Sequence, residues 1–252
     1  MNSNPINRLV TINTTEPIVS LDHVLIKFAD FVAVKDLTMH IKPGEIVGIL
    51  GSNGAGKSST MRSIAGIIKP SGGSIVIDGL DLASGVAAEQ AKGLTGYCPD
   101  VGGLIVGATP REHIQLLLNL HKKPQLFSLG LQLIEDLGLL EFIDTPVGGF
   151  SHGMSRRLSV LLAALSAEKV LILDEPFDGV DPIGVEGINK VIFEAKASGL
   201  AVIISTHLQE LLTHASDRIV IMRKGEILHE SPSENFYGQE GAKKYQTLLE
   251  SE

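Results

Sequence analysis

Tryptophan is absent from this 252-residue chain, aromatic residues amount to 4%, and cysteine occurs once, at Cys98. With so few rings, the interior has to be built from Ile, Leu, Val and Ala. A single cysteine excludes an internal disulfide, fits a reducing compartment, and leaves no Cys/His cluster at zinc-binding spacing. Basic excess is missing too: 21 Lys and Arg stand against 29 Asp and Glu, for a net charge of −8. That balance argues against a nucleic-acid partner, which calls for a basic patch. Long hydrophobic runs are also lacking. The most apolar stretch, Leu158 to Leu173, is interrupted by Ser159, Ser166, Glu168 and Lys169. Nothing approaches the roughly 20 residues that span a bilayer, and the first residues lack the apolar core of a signal peptide. These absences predict a soluble chain on the cytoplasmic side, with no transmembrane segment of its own.

What is present is ample material for a core: 44% hydrophobic residues and a mean hydropathy of +0.23. Residues 1–17, polar and proline-bearing, are expected to form a mobile arm. Beyond them apolar runs alternate with helical patterns, at IVSLDHVLIKF, EIVGIL, SIVID, KVLIL, LAVIIS and DRIVIMRKGEIL. This alternation predicts an α/β fold with a mostly parallel sheet. The first run with LTMHI, and RIVIM with EIL, read as antiparallel additions. From about Val101 to Ala167 strands vanish, while REHIQLLLNLHKK, LGLQLIEDLGLLEFI and MSRRLSVLLAAL carry helix-spaced Leu and Ile. The reading is a helical subdomain, about 101–167, inserted into one unit covering 18–237. Residues 238–252 form a tail that reads as a charged surface helix.

Two stretches carry chemistry. In KVLILDEPFDGVD, an apolar strand runs into adjacent carboxylates, Asp174 and Glu175, which are costly to desolvate without a partner. The partner is supplied by GSNGAGKSST, Gly51 to Thr60, which follows the strand EIVGIL and opens a helix. This is G-x-x-x-x-G-K-S in its required strand–loop–helix setting. Its glycines let backbone amides turn inward around phosphates. Lys57 places a charge on the β- and γ-phosphates, Ser58 offers a hydroxyl to Mg²⁺, and the helix N-terminus adds its dipole. Asp174 then holds the Mg²⁺ that Ser58 also holds. Glu175 is placed to take a proton from water attacking the γ-phosphate.

Kinase, GTPase and ATPase all remain open on a phosphate loop alone. A guanine reader N-K-x-D is not found at Asn189-Lys190-Val191-Ile192, which lacks the Asp. Instead FSHGMSRRL (Phe150 to Leu158), DGVD (Asp178 to Asp181) and STH (Ser205 to His207) follow in order. This succession resembles the ATP-binding cassette of ABC transporters, from about Ile18 to Tyr237. The resemblance implies a P-loop NTPase core, ATP and Mg²⁺ as ligands, and two cassettes dimerising head to tail, as homodimer or heterodimer. Gly51, Ser52, Asn53, Gly54, Ala55, Gly56, Lys57, Ser58 and Ser59 would hold ATP. Ser151, His152, Gly153 and Met154 would cap the γ-phosphate of the other subunit's ATP. Phe28 would stack on adenine with Val34 lining the base, Asp181 would bridge to the opposite site, and His207 would contact the γ-phosphate.

Where the family has LSGGQ this chain has FSHGM, and where it has Cys-Pro-Gln this chain has Cys98-Pro99-Asp100. Hard oxygen ligands suit Mg²⁺, so Asp100 is expected in its shell rather than capping the helix near Pro110. Arg156 and Arg157 are read as a solvated helix face. A signature ending in Gly-Met followed by basic residues looks like export-type cassettes that pair with a separate membrane permease, contacted near Gly102 to Ile114. The expectation is therefore an ATP-hydrolysing subunit at the cytoplasmic face of the membrane. The alternatives are a regulatory cassette with weak hydrolysis and a non-transport ABC ATPase.

Overall fold

The computed structural model describes residues 16–83 and 85–250. The expected arm over 1–17 lies, for residues 1–15, outside the described residues. Along the chain come β1 (Val19–Phe28), β2 (Phe31–Ile41), β3 (Ile46–Leu50), α1 (Lys57–Ile64), β4 (Gly72–Ile77), β5 (Leu80–Asp81), α2 (Gly85–Gly93) and β6 (Thr95–Cys98). Next are α3 (Pro110–Leu120), α4 (Phe127–Asp136), α5 (His152–Ser166), β7 (Val170–Asp174), α6 (Pro182–Ala197), β8 (Ala201–Thr206) and α7 (Gln209–Ala215). The hairpin β9 (Arg218–Arg223) and β10 (Glu226–Pro232) precedes α8 (Gly238–Glu250).

The strands form two sheets. A six-stranded sheet has the order β10-β9-β3-β8-β7-β6, parallel except for β10. A four-stranded antiparallel sheet has the order β2-β1-β4-β5. The α/β class and the two antiparallel additions are as expected. The SIVID run differs: counted with the parallel strands, it pairs antiparallel with β1. The parallel edge is taken instead by β6, too short and too glycine-bearing to register as an apolar run.

Strands β3, β7 and β8 are buried throughout, as parallel strands covered on both faces must be. Their side chains divide by period two. Leu50, Leu173 and Ile204 face the core shared with α3 to α6, whereas Ile49, Ile172 and Ile203 face the core shared with α1 and the antiparallel sheet. The parallel register sets Asp174 beside Ser205 and Leu50 beside Thr206. The ends of β3, β8 and β7 therefore open onto one edge, with β8 between the other two. Crevices of α/β folds form at such carboxyl ends.

Between β6 and β7 the chain is helical, as predicted. Pro110 opens α3, and Thr109 closes a capping box with Glu112. The expected helix over 129–143 is shorter, since α4 stops at Asp136. Gly138, at φ +65, takes the left-handed conformation while Leu139 N–H returns to the Ile134 carbonyl, closing the helix. Helix α8 exists, but Tyr245 and Leu248 pack on the core, so one side of it is not solvent-facing. Among the described residues no helix is long and apolar enough to cross a membrane.

Candidate nucleotide site

The loop from Gly51 to Gly56 leaves β3 and ends at the start of α1, where no side chain caps the helix. That leaves the first-turn amides and the positive end of the helix dipole to an anion. Glycine is demanded by close approach at two points. A Cβ on Gly51 would lie 2.5 Å from the Met222 carbonyl oxygen, and one on Gly56, at φ +104, would lie 2.7 Å from that of Ala33. Ser52, Asn53 and Gly54 form the exposed crest, Ala55 is buried, and Ser58 and Ser59 are half-buried. Lys57 is only 6% exposed. Its Nζ donates to the Gly51 carbonyl at 2.7 Å and lies 3.3 Å from Glu175 Oε1.

Asp174 is fully buried at the end of β7. Ser58 Oγ and Ser205 Oγ both donate to its Oδ1, at 3.2 and 2.5 Å. Its Oδ2 is buried with no partner. Burial pushes this carboxyl above the usual range, an effect only partly offset by the two hydroxyls. An unpartnered carboxylate oxygen beside a serine hydroxyl fits a divalent cation. Mg²⁺ is commonly held by one or two carboxylates and substrate phosphates, and Ser58 and Asp174 would hold it here.

Glu175, at φ +49, sits in the left-handed region, which turns its side chain off the strand. Its N–H donates to both the carbonyl and the hydroxyl of Ser205, each at 3.1 Å. The carboxylate lies between two donors: Lys57 Nζ at Oε1, and His207 Nδ1 at 3.1 Å from Oε2. A carboxylate only accepts, so that nitrogen carries the proton. Glu175 is thus held beside the phosphate loop with hydrogen-bonding partners that steer it, the arrangement a general base needs.

The signature turn lies on the helical side. Ser151 caps α5, its Oγ accepting from Met154 N–H at 3.2 Å. Ser151 and His152 are exposed, Gly153 is buried and Met154 is half-buried. Gly153 is needed because a Cβ would lie 2.7 Å from the Gly179 carbonyl oxygen. His152 Nε2 lies 3.3 Å from Asp178 Oδ2, tying the substituted position to the turn after β7. Asp181 caps α6, accepting from Gly184 N–H at 2.7 Å.

Three expectations change. Val34 is fully buried, and its Cγ2 lies 3.4 Å from a Cβ built on Gly56. It packs under the loop and has no surface left to line a base, whereas Phe28 is exposed at the end of β1. Arg156 is not solvated: it is 4% exposed and donates to main-chain carbonyls. Arg157 is largely covered as well, and its Nη1 donates to the Leu137 carbonyl. Asp100 faces Arg156 Nη2 at 3.1 Å. Ser205, which holds both Asp174 and the Glu175 amide, is a site residue that the sequence motifs do not single out. Its only sequence signal is its place in STH, at the end of an apolar run.

A carboxylate on a strand two positions from the phosphate loop, with a second beside the loop lysine, is the arrangement of P-loop nucleoside triphosphatases. Within that class, the ABC transporter family model matches residues 34–178. The chain belongs to the ABC transporter family as an ATP-binding cassette, and such cassettes are ATPases. An uncharacterized ABC transporter ATP-binding protein of Bacillus subtilis is 34% identical over 84% of this chain and 68% of its own length. The bacitracin transport ATP-binding protein BcrA of Bacillus licheniformis is 33% identical, over 79% of this chain and 65% of its own length. The lipopolysaccharide export system ATP-binding protein LptB of Haemophilus influenzae is 31% identical, over 84% of this chain and 89% of its own. Among solved structures, an ATP-binding subunit of an ABC transporter superposes with a TM-score of 0.84 at 26% identity, covering 92% of this chain and all of that one. A bacterial cassette solved as a dimer gives 0.77 at 22% identity, covering 85% and 98%.

Proposed function

We propose that this chain is the ATP-hydrolysing subunit of an ABC exporter, working as a head-to-tail dimer on a separate membrane permease. The observation that carries the reading is the pair at the end of β7: Asp174 against Ser58, and Glu175 between Lys57 and His207. ATP lies along Gly51 to Ser59, with Phe28 stacked on its base. Mg²⁺ held by Ser58 and Asp174 would neutralise charge on the β- and γ-phosphates. Lys57 adds the second positive charge there. Glu175 accepts the proton of the attacking water, and His207 orients Glu175 and reaches the γ-phosphate.

The exposed Ser151 hydroxyl and the α5 N-terminus supply the cap for ATP bound to the second subunit. A dimeric structural neighbour supports that assembly. Export is supported by relatives named for bacitracin transport and lipopolysaccharide export. The permease surface is the segment after β6, where Val101 and Val106 are 79% and 71% exposed, an apolar display typical of interaction sites.

The test is Glu175→Gln, which keeps shape and hydrogen bonding but removes the base. Hydrolysis should fall at least about a hundredfold, ATP binding should survive, and a dimer should persist in ATP on size-exclusion chromatography. Wild-type turnover in that variant would refute the assignment.

A further inference from the structure

The segment after β6 carries an unusual device that the nucleotide site leaves unexplained. Arg156 lies on the second turn of α5, shortly after the signature turn, and its side chain is 3% exposed. Its Nη1 donates to the Pro99 carbonyl at 2.7 Å and to the Asp174 carbonyl at 3.4 Å. Its Nη2 donates to both the carbonyl and the Oδ1 of Asp100. One rigid guanidinium therefore joins three segments: the signature helix, the exit of β6, and the residue that ends β7. A planar fork with acceptors on both terminal nitrogens has little rotational freedom. Burying it without a counter-charge is costly, and the Asp100 carboxylate is the counter-charge.

The Asp100 carboxylate is directed to Arg156 and not to a helix end. Thr109, not Asp100, caps α3. With the Asp100 carboxylate turned to Arg156, Asp174 and Ser58 are the groups that meet at the cation position.

We propose that Asp100 and Arg156 form a lock in which Asp100 is a positioning residue. Through this lock, movement of the signature helix is passed to the main chain at Asp174 and at Pro99 to Asp100. An ion pair thus takes the place of the amide that the family resemblance leads one to expect there. When the signature turn engages ATP of the second subunit, α5 draws the exit of β6 and the end of β7 with it. The two halves of the composite site then tighten together. This rests on the ATPase dimer proposed above.

The test compares the wild-type protein with Asp100→Asn and Arg156→Lys, using hydrogen exchange with and without ATP and Mg²⁺, and Mg²⁺ titration of hydrolysis. In the wild type, ATP with Mg²⁺ should slow exchange at residues 151–156 and at residues 97–100 and 174–175 in step. Asp100→Asn should keep protection at 51–59 and 151–156 and lose it at 97–100, with the Mg²⁺ requirement unchanged. Arg156→Lys, which keeps the charge without the fork, should uncouple the same segments and covers the case in which the first variant folds poorly. The lock is overturned if both variants retain coupled protection, or if wild-type protection is itself uncoupled. It is overturned equally if Asp100→Asn raises the Mg²⁺ requirement about tenfold, the loss expected on removing a group from the metal's surroundings. Absence of any ATP-dependent protection at 51–59 in the wild type would instead sink the nucleotide site itself.

Discussion

The two ends of the composite site are built on opposite plans. At the phosphate loop the charged groups are buried and, apart from the unpartnered Oδ2 of Asp174, met within the chain: Lys57 by loop carbonyls and Glu175, Asp174 Oδ1 by Ser58 and Ser205, Glu175 by His207. At the signature turn the polar groups face outward. Ser151 and His152 are exposed, and their intrachain partners are a helix amide and the exposed Asp178. The first region is preorganised by parallel strands whose register leaves no slack. The second is a surface made to meet another surface. In the dimer proposed above, charge matching inside the chain falls on the side that would bind ATP, and the outward-facing cap on the side that would complete a neighbour's site.

Breaking the matched side should have the largest effect. Lys57→Ala removes the cation that joins the loop carbonyls to Glu175 and faces the phosphates, so ATP affinity should fall by about two orders of magnitude. Equilibrium binding of a fluorescent ATP analogue checks this, and an unchanged affinity would show that the loop amides suffice.

A smaller effect is expected on the outward side. Ser151→Ala should cut hydrolysis about tenfold while leaving ATP binding to the isolated subunit intact, since that hydroxyl serves the other subunit's nucleotide. Loss of the α5 cap should cost about 1 kcal/mol of stability in the same variant, readable by denaturant unfolding. If monomer binding fell instead, the contrast between the two regions would be wrong.

The smallest effect sharpens the electrostatic part of the comparison. Burial raises the folded-state pKa of Asp174 above its unfolded value, so between those two values the native chain binds more protons than the unfolded one. Stability then falls as pH rises through that window, and the penalty is complete above the folded pKa. Asp174→Asn should accordingly raise the melting temperature of the nucleotide-free protein at neutral pH. The gain should shrink as pH falls through the folded pKa and vanish below the usual carboxylate range. A gain independent of pH would locate the cost in packing rather than in the buried charge.

Much of this was legible in one dimension, because the relevant signals are local. A glycine-rich loop needs its strand, its lysine and its helix within a few residues, and Asp174 and Glu175 announce themselves by interrupting an apolar run. Helix punctuation was less visible: the Leu and Ile spacing continues past Asp136, and only the left-handed turn at Gly138 shows where α4 ends. Strand β6 was missed because four residues with a glycine carry little apolar signal, even though pairing with β7 makes them a sheet edge. The burial of Arg156 is hidden in the sequence for a related reason. Two adjacent arginines on a helix read as solvated until the exit of β6 is known to pass over one of them.

The sequence by itself determined the fold class, the phosphate loop, the identity of the carboxylates and the order of the motifs, since each depends on residues close together in the chain. Only the tertiary structure decided how those pieces meet. The parallel register put Ser205 against Asp174, strand order placed β8 between the phosphate loop and the carboxylates, and chain crossing turned Asp100 toward a buried guanidinium. The division follows from the physics. Backbone conformation and hydrophobic period are set by near neighbours, whereas a buried polar atom is assigned a partner by whichever distant segment packing brings within hydrogen-bonding reach.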